Sequence, residues 1–134
     1  MKKRPVGSTI AVVDDDQRIL KSLGNLLQSA DYSVRLFASA AALIESSALA
    51  QIDCLISDID MPVMDGFELL RVVHAARSEL PIILITGYPD MLNRLPPISL
   101  AHYRLFKKPF NGQELLNGVS DALRNSQLRS RPES

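Results

Sequence analysis

Short apolar runs recur along the chain, and between them the apolar positions shift to helical spacing. Thr9–Val13 is apolar almost throughout and reads as a buried β-strand. From Gln17 to Ala30, Ile19, Leu20, Leu23, Leu26 and Leu27 recur at the three- and four-residue steps of one helix face. Ser33–Ala38 alternates, with Val34, Leu36 and Ala38 set against Ser33, Arg35 and Phe37, as a less buried strand does. Ser39 can cap a helix reaching about Ser47, with Leu43 and Ile44 turned inward. Asp53–Asp58 is a third strand, and Asp65/Gly66–Ser78 a third helix carrying Phe67, Leu70 and Val73. Pro81–Thr86 and Tyr103–Lys107 complete the strands. Asn111-Gly112-Gln113-Glu114 then forms a capping box for a last helix with Leu115, Leu116, Val119, Ala122 and Leu123.

Repeated strand–helix alternation requires right-handed crossovers and predicts an α/β fold, a parallel sheet covered by helices on both faces. One connection breaks the pattern. Where a helix is due between the fourth and fifth strands, the chain reads Asp90-Met-Leu-Asn-Arg-Leu-Pro96-Pro97-Ile-Ser. Proline removes a backbone donor and clashes with the preceding turn, and the residue before it avoids the α region. A fourth helix is therefore expected to be short or broken. Residues 1–8 read as an N-terminal tail, 9–125 as the domain, and 126–134 as a C-terminal tail or the start of a linker.

Composition narrows the function classes. Of the 134 residues, 46% are hydrophobic, enough for a real core and against global disorder. Lys+Arg 15 against Asp+Glu 15 leaves no net charge, so electrostatic capture of nucleic acid by this domain is not expected. The basic clusters Lys2-Lys3-Arg4 and Arg129/Arg131 read as solvated ends. The single cysteine, Cys54, lies in an apolar run and excludes a disulfide framework. No apolar stretch has the length of a signal peptide core or a membrane span, so a cytoplasmic protein without membrane contact is expected. His74 and His102 lack ligand partners at useful spacing and read as ordinary surface or helix positions.

The strand ends carry the chemistry. Asp14, Asp15 and Asp16 end the first apolar run and Asp58 ends the third. In an open parallel sheet such ends converge on one edge, where ligands bind. Two carboxylates about 4 Å apart repel by roughly 4 kcal/mol at an effective dielectric of 20. Hard oxygen ligands of this kind suit Mg²⁺, usually held by one or two carboxylates with water and phosphate. Metal-assisted phosphate chemistry is the reading. Asp16 can also serve as a helix cap, but three acids in a row exceed what a cap needs.

Four motifs, Val12-Val13-Asp14-Asp15-Asp16, Asp58-Ile59-Asp60-Met61-Pro62-Val63-Met64-Asp65-Gly66, Ile85-Thr86-Gly87 and Lys107-Lys108-Pro109-Phe110, stand in an order and spacing that resemble a response regulator receiver domain, the phosphoacceptor module of two-component signalling. The resemblance covers about residues 8–125. It implies a doubly wound, five-stranded parallel sheet in the flavodoxin-like order 2-1-3-4-5. It also implies Asp58 as the phosphoacceptor, Asp14 and Asp15 as metal-binding acids, and the Asp60 backbone carbonyl as a further ligand of Mg²⁺. Thr86 would donate its hydroxyl to a phosphoryl oxygen, and Lys108 would place a positive charge on the same group. The donor would be a histidine kinase or a histidine phosphotransfer protein. The output would be a downstream protein partner or a fused output domain, and a homodimer is compatible with the family. Such a domain is a signalling phosphoacceptor that catalyses its own phosphorylation and dephosphorylation.

Two departures concern output. The family places Tyr or Phe three residues before the motif lysine, where Leu105 stands, and the neighbouring Phe106 faces the other side of the sheet. Pro96-Pro97 falls where the family has a helix of its docking surface. Two alternatives stand beside the main reading. One is a receiver-like interaction module that works without phosphorylation. The other is a haloacid-dehalogenase-type phosphatase, whose Asp-x-Asp motif Asp58-Ile59-Asp60 resembles, although there it ends the first strand. The prolines generate a test: amide exchange across Asp90–Leu100 should be faster than across Gln17–Ala30, and equally slow exchange would mean an intact helix.

Overall fold

A computed structural model describes residues 8–87 and 103–130, with the backbone alone for Tyr103 and 126–130. Its strands are β1 (Thr9–Val13), β2 (Ser33–Phe37), β3 (Cys54–Asp58), β4 (Ile82–Thr86) and β5 (Tyr103–Lys107). Its helices are α1 (Gln17–Ser29), α2 (Ala40–Glu45), α3 (Gly66–Ala76) and α4 (Gly112–Ser130), with a 3₁₀ turn at Ala48–Gln51. All strand pairs are parallel, and the five-stranded sheet runs β2-β1-β3-β4-β5. The doubly wound order is the one the resemblance implies.

Strand alternation sorts the interior into two cores. Ile10, Val12, Cys54, Ile56, Ile83 and Ile85 meet Leu20, Leu23 and Leu27 of α1 and Leu115, Val119 and Leu123 of α4. Ala11, Val13, Leu55, Ile82 and Leu84 meet Leu43 of α2 and Phe67, Leu70 and Val73 of α3. β3 and β4 are buried at every position. Burying an aliphatic side chain of this size contributes roughly 1.5–3 kcal/mol. β2 lies at the edge, with Ser33, Arg35 and Leu36 exposed, and so matches its alternating, less apolar sequence.

Local chemistry sets the helix ends. Asp16 caps α1 by accepting the Arg18 N–H at 2.9 Å, and Ser39 caps α2 through Ala42 at 3.1 Å. Asn111 accepts the Glu114 N–H at 3.0 Å at the start of α4. Two expectations need correction. Ile44 is exposed, because α2 is only one and a half turns of helix and a single inward stripe is filled by Ala40 and Leu43. α3 stops at Ala76 rather than Ser78, where the Arg77 guanidinium folds back onto the carbonyls of Leu49 and Ile52 at 2.9 and 2.7 Å. α4 runs to Ser130, and no proline or glycine interrupts the chain between Gly118 and Pro132. Ser8, placed with the tail, is buried, and its carbonyl accepts the Ser33 N–H at 3.0 Å. The expected break at Pro96-Pro97 lies outside the described residues, as does His102.

The centre-to-edge contrast predicts an unequal response to truncation. Ile83→Ala, in the middle of β4, should cost about 2–5 kcal/mol in urea unfolding. Leu36→Ala, 45% exposed on β2, should cost under about 1 kcal/mol. Equal losses would contradict the assignment of β2 to the edge.

Candidate functional site

Sheet order brings the chemistry together. β1 pairs with β3 in the register Val13↔Ser57, so Asp14 emerges from β1 beside Asp58 at the end of β3. β4 flanks β3 on its other side, with Asp58↔Ile85, and β5 follows with Thr86↔Lys107. Asp58 continues the Cys54–Ile56 face of its strand, and Lys108 lies two residues beyond Phe106 of the same face. Alternation therefore selects Lys108 and sends Lys107, which is exposed, the other way.

The carboxylates are crowded. Asp14, Asp15 and Asp58 each offer an oxygen, and those oxygens lie within 4.8 Å of one another. Asp14 and Asp58 are 2% and 4% exposed, whereas Asp15 is exposed. Lys108 Nζ sits 3.2 Å from Asp58 Oδ1 and 3.8 Å from Asp14 Oδ2, the cation between two acids. Burial first, and then the charge of Asp14, push the Asp58 carboxyl up to about 6 despite the opposing lysine. Burial also raises Asp14, although the Asp16 N–H donates to its Oδ1 at 2.9 Å and Lys108 attracts it. For Lys108 burial pulls downward, but the charges of Asp58 and Asp14 outweigh it and the ammonium is held above its usual range.

These groups floor an open cleft of about 360 Å³ lined by Asp14, Asp15, Asp16, Asp58, Asp60, Gly87 and Lys108. Asp60 is half-buried on its wall and lies outside the tight set of three carboxylates found among the described residues. Thr86 is fully buried at the end of β4, and its carbonyl accepts the Lys108 N–H at 2.7 Å. Its neighbour Gly87 lines the cleft instead. Asp58 Oδ1 is buried, and apart from the ammonium 3.2 Å away it has no hydrogen-bond donor among the described residues. A buried carboxylate oxygen with a single cationic neighbour, beside two further acids, fits a hard divalent cation, which would satisfy it and offset the repulsion.

A family model described as the response regulator receiver domain matches residues 10–120. The chain belongs to the response regulator receiver family. The receiver is 33% identical over 125 residues to the transcriptional regulatory protein FixJ of Bradyrhizobium diazoefficiens, covering 93% of this chain and 61% of that protein. It is 33% identical over 117 residues to the response regulator protein TodT of Pseudomonas putida strain F1, covering 87% of this chain and 52% of that one. The receiver thus spans between about half and three fifths of the length of these relatives. Among solved structures, the signal receiver domain of an HD domain-containing protein from Pseudomonas fluorescens Pf-5 superposes with a TM-score of 0.84 at 29% identity over 98% of both chains.

Sequence reasoning missed one positioning device of the receiver. Asp65 and Glu68 form a reciprocal capping box at 2.9 and 3.1 Å that starts α3. It drives Gly66 against the backbone behind the site, where a Cβ would meet the Asp58 carbonyl oxygen and Ile59 Cα at 2.7 Å. The signal was present as an Asp-Gly pair followed by Glu at the box spacing.

The raised Asp58 carboxyl gives a pH prediction. Its folded value of about 6 lies above the ordinary 3.8, so the folded receiver binds this proton more readily than the unfolded chain. The ionised group therefore destabilises the receiver above about pH 6, and that cost is relieved as pH falls toward 4. Without added metal, Asp58→Asn should raise the thermal midpoint at pH 7.5 and bring little gain at pH 4. A midpoint lowered at pH 7.5 would show that the lysine contact outweighs burial and repulsion.

Proposed function

We propose that Asp58 is the phosphoacceptor of this receiver, taking a phosphoryl group from a histidine kinase or histidine phosphotransfer protein with Mg²⁺ held by Asp14, Asp15 and Asp58. The observation that carries the reading is the convergence of three carboxylate oxygens within 4.8 Å, with Lys108 3.2 Å from Asp58. The Asp60 carbonyl is the further ligand proposed. When bound, the cation neutralises carboxylate charge and polarises phosphoryl oxygens, which makes phosphorus open to a weak nucleophile.

The protein's own groups supply the rest. Asp58, ionised above about pH 6, directs a carboxylate oxygen at phosphorus. The new O–P bond forms as the donor's N–P bond breaks, and the donor imidazole leaves neutral because its other nitrogen keeps a proton. Lys108 then exchanges its contact with the Asp58 carboxylate for one with the phosphoryl group, and the Thr86 hydroxyl donates to another phosphoryl oxygen. Hydrolysis reverses the state: water attacks phosphorus, the acyl phosphate P–O bond breaks, and Asp58 and inorganic phosphate are released. Both steps are catalysed by the receiver itself. The site then signals to an output domain or partner, by a route without an aromatic at position 105, in the cytoplasm.

The phosphatase alternative loses ground on topology, since Asp58-Ile59-Asp60 ends the third strand in chain order and not the first. The phosphorylation-independent module has no observation in its favour among the described residues. Acetyl phosphate with Mg²⁺ should add one phosphoryl group, read by intact mass. The adduct should vanish in Asp58→Asn and fall at least tenfold in excess chelator or in Lys108→Ala, with Lys107→Ala near wild type. An adduct that persists in Asp58→Asn would sink the proposal.

A further inference from the structure

β2 is an edge of the sheet, and its hydrogen bonds show which of its residues face outward. The Ser33 N–H donates to the Ser8 carbonyl at 3.0 Å, and the Phe37 carbonyl accepts the Asp14 N–H at 3.1 Å. In the parallel register with β1, Ser33, Arg35 and Phe37 therefore turn their backbone groups into the sheet. Alternation turns those of Val34 and Leu36 away from it, and among the described residues no group bonds to them. Natural edges of this kind are guarded by proline, by a bulge or by several charges. Between Ser33 and Phe37 there is no proline, the pairing with β1 runs without a bulge, and the single charge is Arg35.

The two faces beside this edge carry different chemistry. On the α1 side, Val34, Leu36 and Ala38 form one wall of a groove of about 330 Å³, with Leu20 and Gly24 of α1 on the other. Leu36 lies over Gly24, where a Cβ would stand 3.4 Å from its Cδ1, yet it stays 45% exposed. On the opposite face the Arg35 guanidinium stands 5.9 Å from the centre of the Phe37 ring and donates to Gln51 Oε1 at 3.4 Å. One face is an apolar strip, and the other sets a cation beside an aromatic.

We propose that this edge pairs with the same edge of a second copy, antiparallel about a two-fold axis at Leu36, which joins two sheets into one. Three registers set the outward groups of Val34 and Leu36 against one another. With the axis at Arg35 the two guanidiniums meet, and like charges directly opposite destabilise a strand pair. With the axis at Val34, Leu36 falls against Tyr32, which is buried and lies before the strand. With the axis at Leu36 the apolar strips coincide, Leu36 on Leu36 and Val34 on Ala38. Each Arg35 then stands opposite the second copy's Phe37, a favourable cation–aromatic contact formed twice. The run Arg35-Leu36-Phe37 is thus complementary to its own reverse, as a two-fold contact requires, and this commits the edge to a second copy. Zero net charge adds no long-range repulsion between copies. Strands of five residues bury too little for a permanent dimer, so the dissociation constant is on the order of 100 µM. The contact leaves the acidic cleft open, since no β2 residue lines it.

Sedimentation equilibrium and amide exchange test this on the whole chain. Between about 10 µM and about 1 mM the wild type should pass from mostly monomer to mostly dimer. Over the same range the Val34 and Leu36 amides should slow about fourfold, in proportion to the free fraction, while Ser33 and Arg35 stay unchanged. Leu36→Glu, which sets two carboxylates on the axis, should weaken association at least tenfold and keep the wild-type thermal midpoint at 10 µM, with Leu36→Ala moving association the same way. Single cysteines report the register without relying on a destabilising change. Leu36→Cys should oxidise to a disulfide dimer at least tenfold faster than Arg35→Cys or Val34→Cys, and the fully buried Cys54 does not compete. A monomer at every concentration overturns the proposal, as does a dimer undisturbed by Leu36→Glu, which would use another surface. Fastest cross-linking through Arg35→Cys or Val34→Cys overturns the register. Val34 and Leu36 amides already slow at the lowest concentration would give the edge to another part of the same chain, and overturn the proposal as well.

Discussion

Like charge held at one edge of the sheet is the constraint around which the rest of this receiver is arranged. Asp14, Asp15 and Asp58 lie within 4.8 Å, and Lys108 supplies one positive charge against them. At an effective dielectric of 20, each close carboxylate pair costs roughly 4 kcal/mol. A site with that deficit stays assembled only if its backbone is fixed by something stronger. Here that support is the wholly buried pair β3 and β4, with helices on both sides. The cores hold the acids in place, and the acids in turn leave a charge deficit that a cation would offset.

The same logic explains why so much of the positioning is backbone. Gly66 packs at a distance no side chain allows, the Lys108 N–H is tied to the Thr86 carbonyl, and the Asp16 N–H donates to Asp14. Side chains that carry charge must be free to change partner when a phosphoryl group arrives. Backbone hydrogen bonds need not change, so they can be rigid.

Much of this was legible in the sequence. Strand positions followed from runs such as Ile82–Thr86, and the acids were visible as strand endings because convergence at one edge is a property of parallel sheets. Alternation puts Lys107 and Lys108 on opposite sides in the sequence, but the choice of Lys108 rested on the resemblance to the family. Other features were not. Ile44 has an inward-looking spacing, but a helix as short as α2 has one narrow buried stripe and Leu43 fills it. The end of α4 has no apolar signal in the polar stretch after Leu123, and helix continuation there depends on the absence of a breaker before Pro132. The positive φ of Val63 has no local signature at all, since valine argues against it.

Leu105 and Phe106 show how packing limits the path of a signal. Leu105 lies against the α2–α3 core and Phe106 against the α1–α4 core, as their alternation requires. A Cβ on Gly118 would stand 2.9 Å from the Phe106 Cζ, so the ring occupies the space that glycine leaves on α4. Lys108 lies two residues further along the same face. A displacement of Lys108 along β5 would reach the α4 backbone at Gly118 through this ring. A close-packed interior transmits such a displacement as a shift of whole elements, because it lacks the voids that would absorb it. The packing of Phe106 against Gly118 is thus one described contact through which β5 meets α4.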